Sequence, residues 1–397
     1  MNGYLRSDGR KGIRNVVVVA YLVECAHFVA REIALRYRDR DVQVIGFPGC
    51  YPNDYALMMM RRLCTHPNVG AVLLLSLGCE GFDRSGLGAA IKASGRFTDT
   101  IVIQQTGGTR AAIAKGHAWI EETLAALEQT PRAALPMDEL VVGTICGGSD
   151  GTSGITANPA IGRAYDILVG EKAACLFTEA GELIGCEHFM AGRAAEPQTG
   201  QEIIRCLTKA AIYDRAMGHG SFAPGNAEGG LTTQEEKSMG AYAKSGASRI
   251  SGVLQPGVSP QGGGLYLVDD IPEGSPRFGY PNMNDNAKLA ELIACGAHII
   301  LFSTGRGSVV GSAISPVIKV CANPETYRRM QDDMDVDAGR ILNGEATLDS
   351  VGREIYDRVR ATGSGERTKS EALGHQEFVL AYKSYAPAGP ACLPMAS

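Results

Sequence analysis

Short apolar runs and amphipathic stretches alternate along the first third of the chain. Val16–Val23 is a continuous, valine-rich run of the kind shown by a strand buried on both faces. Ala26–Arg38 then has helical spacing, with Phe28, Ile33 and Leu35 on one side and Arg31, Glu32 and Arg36 among the polar positions. The same alternation predicts a strand at Val42–Phe47, a helix at Tyr55–Cys64, a strand at Ala71–Leu77 and a helix at Arg84–Ala93. A strand at Ile101–Gln105 and a long helix at Arg110–Leu127 complete the series. Strand and helix in strict turn imply right-handed crossovers, hence an α/β fold with a doubly wound parallel sheet. Two prolines in Thr130-Pro-Arg-Ala-Ala-Leu-Pro136 follow the last helix. They predict an N-terminal domain over 1–135 and a larger α/β domain over 136–397.

Beyond that point the texture changes. Leu140–Ile145 and Ala173–Phe177 read as strands and Asn158–Val169 as a helix, with helical sequence continuing to about Met217. Gly218–Gly230 is rich in Gly, Pro and Asn, Leu231–Lys244 returns to helix, Gly252–Gly264 reads as loop and Ala297–Ser303 as a strand. Arg360–Glu371 is polar and expected to be mobile at its edges. There is no internal repeat.

Composition narrows the function. With 38 Lys+Arg against 43 Asp+Glu, the net charge of −5 leaves no basic excess for nucleic acid or anionic membranes. The longest apolar stretch, Val16–Val23, is far shorter than the roughly 20 residues that a bilayer demands. Arg6, Arg10, Lys11 and Arg14 lead into a run closed by Glu24, which is not a signal-peptide pattern. A soluble, cytoplasmic protein is expected. Its eleven cysteines are an odd number, so disulfides alone cannot use them all, and metal binding or catalysis becomes the better explanation. No CxxC pair and no HExxH is present, which removes zinc ribbons, thioredoxin-like sites and zincins.

Three cysteines share a context. Cys50 in Phe47-Pro-Gly-Cys-Tyr-Pro-Asn-Asp54, Cys79 in Leu77-Gly-Cys-Glu80 and Cys146 in Ile145-Cys-Gly-Gly-Ser-Asp150 each follow a predicted strand closely. In an open parallel sheet, ligands bind outside the carboxyl ends of the strands. Three soft thiolates there would suit iron, as Fe²⁺ or an iron–sulfur cluster, or zinc. Cys25, Cys64, Cys175, Cys206 and Cys295 lie in apolar or helical runs and read as small buried residues.

Glycine-rich turns mark two further strand exits. Gln105-Thr-Gly-Gly-Thr-Arg110 enters a helix, where the amides of Gly107, Gly108 and Thr109 could meet an anion and Arg110 could clamp a carboxylate. Thr304-Gly-Arg-Gly-Ser308 repeats the pattern with Arg306. Two such turns suggest an acidic substrate. Neither is a P-loop, and no GxGxxG follows a strand, which disfavours nucleotides. Gly147-Gly-Ser-Asp-Gly151 is formally a G-x-S-x-G elbow, but Gly151 and Gly154 delay the helix to about Asn158. A ligand-cradling loop, with Ser149, Asp150, Ser153, Thr156 and Asn158 as substrate contacts, is the better reading.

At this stretch the chain resembles the altronate/galactarate dehydratase family. The resemblance begins at Gly3-Tyr-Leu-Arg-Ser-Asp-Gly-Arg-Lys-Gly-Ile-Arg-Asn15 and continues through His66-Pro-Asn-Val69, Leu77-Gly-Cys-Glu80, Gly107-Gly-Thr-Arg110 and Gly147-Gly-Ser-Asp150. It runs on through Ser153-Gly-Ile-Thr-Ala-Asn-Pro159, Glu187-His188, Pro224-Gly-Asn226, Gly230–Ser238 and Thr304-Gly-Arg-Gly307. Two departures stand out. Full-length members carry an additional SAF-like domain before the first motif, and their H-x-x-G-C-G around the first cysteine is here Phe-Pro-Gly-Cys-Tyr-Pro.

The resemblance implies a hydro-lyase that dehydrates a sugar acid to a 2-keto-3-deoxy acid, typically with iron. A related class expels sulfite from sulfolactate, and a non-catalytic scaffold or regulatory subunit is a third possibility. Both eliminations need a base, cationic stabilisation of an enediolate and help for the leaving group. His188 and Lys237 are the candidate bases, with Glu80 and Glu187 as further acid/base groups. Cys50, Cys79 and Cys146 are the candidate metal ligands, and Asn226 joins the substrate contacts. A small SAF-like subunit and a homo-oligomer are the expected partners.

Overall fold

A computed structural model describes residues 1–218, 222–273 and 284–380. Residues 219–221, within the predicted Gly/Pro/Asn-rich stretch, and the end of the predicted second domain lie outside the described residues. The chain divides into two compact units: 4–133 makes up most of one, and 134–273 with 284–377 most of the other.

The smaller unit is built on a four-stranded parallel sheet in the order Val42–Gly46, Val16–Tyr21, Val69–Ser76, Phe97–Val102. The two central strands are almost wholly buried, which explains their unbroken apolar sequence. Helices His27–Leu35 and Thr109–Leu127 cover Val17, Val19, Leu73 and Leu75 with Ile33, Ala112 and Ile120. Asn53 and Asp83 cap the helices Asp54–Cys64 and Arg84–Ala93 through the amides of Ala56 and Gly86. The opening motif is a structural clamp. Buried Arg6 donates to the carbonyls of Pro67 (2.7 Å) and Arg14 (2.9 Å) and to Asn15 Oδ1 (2.7 Å).

The edge of this sheet corrects one boundary. The fourth strand is Phe97–Val102, and Ile103–Thr106 is already a helical turn, so Ile101–Gln105 is a strand only in its first half. Phe97-Thr-Asp-Thr is half exposed because it lies at an edge, and its polarity hid it.

The larger unit carries seven parallel strands in the order Ile250–Leu254, Gly264–Val268, Ala174–Phe177, Val141–Cys146, Ile299–Thr304, Val317–Cys321, Val336–Asp337. Chain order runs to one side from Val141–Cys146 and resumes on its other side with Ile299–Thr304. The reversal lies between these two strands, where an open α/β sheet places its ligand crevice. Gly252–Gly264 is not all loop: Ile250–Leu254 is an edge strand with an irregular register around Gly252, and its mixed exposure masks the strand signal. Nor is the polar stretch Arg360–Glu371 loose. Helix Leu348–Gly363 ends within it, Lys369 N donates to Asp335 Oδ1 (3.0 Å) and Ser370 Oγ to the Val317 carbonyl (2.8 Å). No helix among the described residues is long and apolar enough to cross a membrane.

Candidate active site

The strand Val141–Cys146 delivers Cys146, 1% exposed, to the reversal point. The loop after it is zipped to the neighbouring strand exit. Gly148, with φ +61°, offers its carbonyl to the amides of Gly305 (3.1 Å) and Arg306 (2.8 Å), and Gly147 N donates to the Ser303 carbonyl (3.0 Å). The adjacent strand Ala174–Phe177 delivers Glu179. Its backbone is left-handed, φ +77° and ψ 54°, which costs a non-glycine residue roughly 1–3 kcal/mol and turns its carboxylate back toward Cys146.

Helix Gln234–Lys244, capped by Thr233, supplies two lysines seven positions apart and therefore on one face. Between them Gly240 meets Gly154 of the loop backbone to backbone. A Cβ on Gly240 would lie 3.0 Å from the Gly154 Cα, and one on Gly154 3.2 Å from the Gly240 Cα. Two missing side chains thus bring the lysine helix down onto the Cys146 loop.

A buried network results. Cys146 donates its S–H to Glu182 Oε2 (2.9 Å) and Glu179 Oε2 (3.3 Å), and its N–H to Glu179 Oε2 (2.9 Å). Lys244 Nζ donates to Glu179 Oε2 (2.5 Å) and the Cys146 sulfur (3.2 Å). Lys237 Nζ reaches Glu182 Oε1 (2.9 Å), Ser149 Oγ (2.9 Å) and the same sulfur (3.5 Å). Lys288, on helix Asp285–Ala294, lies 3.4 Å from Asp270 Oδ2 and 3.9 Å from Glu179 Oε1.

The charges set one another's protonation. Burial, then Glu179 and Glu182, push the Cys146 thiol up to about 12, so it is a neutral S–H donor near pH 7. Burial works against the ammoniums of Lys237 and Lys244, but Cys146 and the two glutamates outweigh it and hold both above the ordinary lysine value. Burial likewise opposes ionisation of Glu182, and Lys237, Lys244 and Lys288 overcome it. Asp285 is the exception: burial and Glu179 push it up to about 6. One carboxyl that titrates near neutrality therefore stands beside ammoniums that do not.

The predicted residues fall into separate groups. Lys237, Cys146 and Ser149 belong to the network. Asp150, Ser153, Thr156 and Asn158 are buried, and their polar atoms shape the loop: Asp150 Oδ1 accepts from Thr152 and Ser153, its Oδ2 from Asn323, Thr156 Oγ1 donates to the Ala322 carbonyl, and Asn158 bridges Ser303 and Gly240. Asn226 donates to the Ser149 carbonyl (2.8 Å). Arg306 reaches the Gly225 carbonyl and Glu228 with a half-exposed guanidinium. His188 is exposed on the short helix Glu187–Gly192, and Glu187 accepts from Gly185 N (2.9 Å), so neither joins the network.

In the smaller unit Gly107 and Gly108 both have positive φ and precede the helix of Thr109 and Arg110, which are exposed. Glu80 is buried there, while Cys50 and Cys79 are exposed. Cys25 is exposed as well, contrary to its reading as a small buried residue, because it sits in the strand-to-helix turn and not under the helix.

Glu179, Glu182, Lys244, Lys288 and Asp285 escaped the sequence reading. Glu179 carried a signal, since Phe177-Thr-Glu179 leaves a strand as the cysteines do. The others sit in ordinary amphipathic sequence. Among the described residues, Cys146, Glu179 and Glu182 form the one set of three donors within 4.8 Å of one another that could hold a metal ion.

Residues 137–386 match the family model described as D-galactarate/altronate dehydratase, C-terminal, and residues 3–128 match D-galactarate dehydratase/altronate hydrolase, second domain. The chain is 33% identical to the (2R)-sulfolactate sulfo-lyase subunit beta of Chromohalobacter salexigens, over 95% of this chain and 96% of that one. It is 30% identical to the galactarate dehydratase (L-threo-forming) and 29% identical to the altronate dehydratase of Escherichia coli, each over 95% of this chain and 76% of the relative.

Proposed function

Because the chain belongs to the D-galactarate/altronate dehydratase family and so to the lyases, we propose that it removes water across C2 and C3 of a sugar acid at the Cys146 network. The observation that carries this reading is the pairing of two buried ammoniums, Lys237 and Lys244, with carboxyls of opposite protonation tendency at the reversal point of the larger sheet. Asp285, ionised above about pH 6, accepts the C2 proton. The ammoniums face the enediolate that forms on the substrate carboxylate. Lys237 gives a proton to the departing C3 hydroxyl, the C–O bond breaks, water leaves and the enol tautomerises to the 2-keto-3-deoxy acid. Cys146 holds Glu179 and Glu182 in place through its S–H and N–H.

Iron is the cofactor implied by the resemblance, and it fits this network poorly. Cys146, Glu179 and Glu182 are already compensated by three lysines, and a cation among them would meet ammonium repulsion. The proton transfers above therefore rest on the side chains alone.

A second reading is favoured by the identity with the sulfo-lyase beta subunit along nearly its whole length. Sulfite leaves C3 without a proton, so the C2 step would be unchanged. That relative is named a subunit, and a small partner subunit is proposed for this chain in either case.

Turnover of altronate, galactarate and (2R)-sulfolactate, with and without a co-expressed small subunit, tests the proposal through keto acid and sulfite release. Keto acid from a sugar acid without sulfite, lost in Lys237→Met, is expected. Sulfite release from sulfolactate alone moves the assignment to the second reading. No product from any substrate supports a scaffold.

A further inference from the structure

At the amino edge of the four-stranded sheet, where Val69–Ser76 and Phe97–Val102 begin, the smaller unit buries two guanidiniums. Arg6 is 6% exposed and Arg96 4%. Arg96 donates to the carbonyls of Val69 (3.0 Å), Ser94 (3.2 Å) and His66 (3.0 Å) and to Asp8 Oδ2 (3.3 Å). Arg6 meets only uncharged partners: the carbonyls of Pro67 and Arg14, Asn15 Oδ1, and the ring of Tyr4, 5.8 Å from its Cζ. Asp8 is the single carboxylate among these contacts, and exposed Arg10 holds its Oδ2 more closely, at 2.6 Å.

Negative charge is therefore short at this edge. Burial and then Arg96 push the Arg6 guanidinium down to about 9, so it is still a cation near pH 7. A buried cation answered only by dipoles is costly unless an anion joins it. Space for one is present: both arginines line a cavity of about 400 Å³, the size of a small-molecule site. Arg6 uses three of its five N–H groups and Arg96 four, which leaves two on the first and one on the second. Thr130 lines the same cavity. Its Oγ1 accepts from Asn15 Nδ2 (3.1 Å), so its own hydrogen is left to donate. Phe97 and Leu127 add apolar wall.

We propose that this cavity is a second ligand site, taking the oxyanion head of a small molecule, a carboxylate or a phosphate, on Arg6 and Arg96. Thr130 is a further donor, and the carbon skeleton lies against Phe97 and Leu127. Reactants of an open α/β sheet sit at its carboxyl edge, so an occupant of the amino edge is bound and not transformed. It would neutralise the clamp formed by the opening motif and tighten the strand beginnings around it. The site is independent of the Cys146 network, which belongs to the other unit, and its readout is binding and not turnover.

Hydrogen exchange of the full chain, read peptide by peptide, tests this in sodium phosphate and in sodium galactarate, each against sodium chloride at equal ionic strength. Amides of 5–8 and 94–98 should exchange more slowly with one or both anions, saturably, and by about tenfold once the anion stands at about ten times its Kd. Slowing by phosphate alone identifies a phosphate ester as the ligand class, and slowing by galactarate alone a carboxylate. This wild-type measurement does not depend on any variant folding. Thr130→Asp keeps an acceptor for Asn15 and sets a carboxylate in the cavity, so it should abolish the slowing. Unchanged exchange at these segments, equal slowing in chloride, or full slowing in Thr130→Asp would overturn the proposal.

Discussion

The carboxyl edges of the two parallel sheets use cysteine in opposite ways. In the larger unit Cys146 is sealed among Glu179, Glu182, Lys237 and Lys244, and its thiol is kept protonated. In the smaller unit Cys25, Cys50 and Cys79 are exposed on loops without a lysine. The same residue type at the same topological position is a buried hydrogen-bond donor in one case and a solvent-exposed thiol in the other. Burial and neighbouring charge decide which.

The sharpest way to break this contrast is Lys244→Met. Glu179, 1% exposed, would lose its 2.5 Å partner, which costs about 3–5 kcal/mol and should lower kcat/KM by about a thousandfold or more. Denaturant unfolding and turnover measure both effects. A stable, active variant would show that the network is ornamental.

Asp285→Asn should separate stability from activity. Asp285 faces Glu179, Lys288, Glu182 and Lys237, and its pKa is raised to about 6. A carboxyl raised in the folded state favours folding while protonated, and that contribution is lost as pH rises through about 6. The asparagine variant should therefore be more stable than the wild type by about 2–3 kcal/mol above that pH, with the gain fading toward pH 4. Its kcat should fall about a hundredfold or more. Equal stability at pH 5 and pH 8 relative to the wild type would refute the buried charge.

Gly240→Ala should be milder. The added Cβ meets the Gly154 Cα at 3.0 Å, so the lysine helix must shift by a few tenths of an ångström, at about 1–3 kcal/mol. A tenfold loss of kcat with little change in KM is expected. The smallest effect should come from Arg110→Ala, because Arg110 is exposed at the start of its helix. Stability should stay within about 0.5 kcal/mol, and kcat/KM should change no more than a few-fold. A hundredfold loss would make the Gly107-Gly108 turn a substrate clamp after all.

Legibility followed burial. Val16–Tyr21 and Val69–Ser76 could be read because strands covered on both faces leave continuous apolar runs. Ile250–Leu254 could not, since an irregular edge strand is half exposed and carries Ser251 and Gly252. Cys146 and Lys237 were found through strand position and motif. Lys244 was not: Tyr242-Ala-Lys-Ser245 reads like any solvated helix end, and it is buried by segments distant in sequence that meet its helix at Gly154 and Gly162. A buried ion pair is a fact about two distant segments, and local periodicity does not record it.

The meeting of Gly154 and Gly240 also gives a criterion for sorting chains of unknown activity. Copying the charges is easy: a distant sequence can align Cys146, Glu179, Lys237 and Lys244 and still hold its ammoniums too far from the sulfur. What sets that distance is a pair of hydrogens where side chains would stand. A chain with every charged group in place but alanine at either glycine would hold its ammoniums a few tenths of an ångström off and work more slowly, a handicap recognisable before any assay by a single extra methyl carbon.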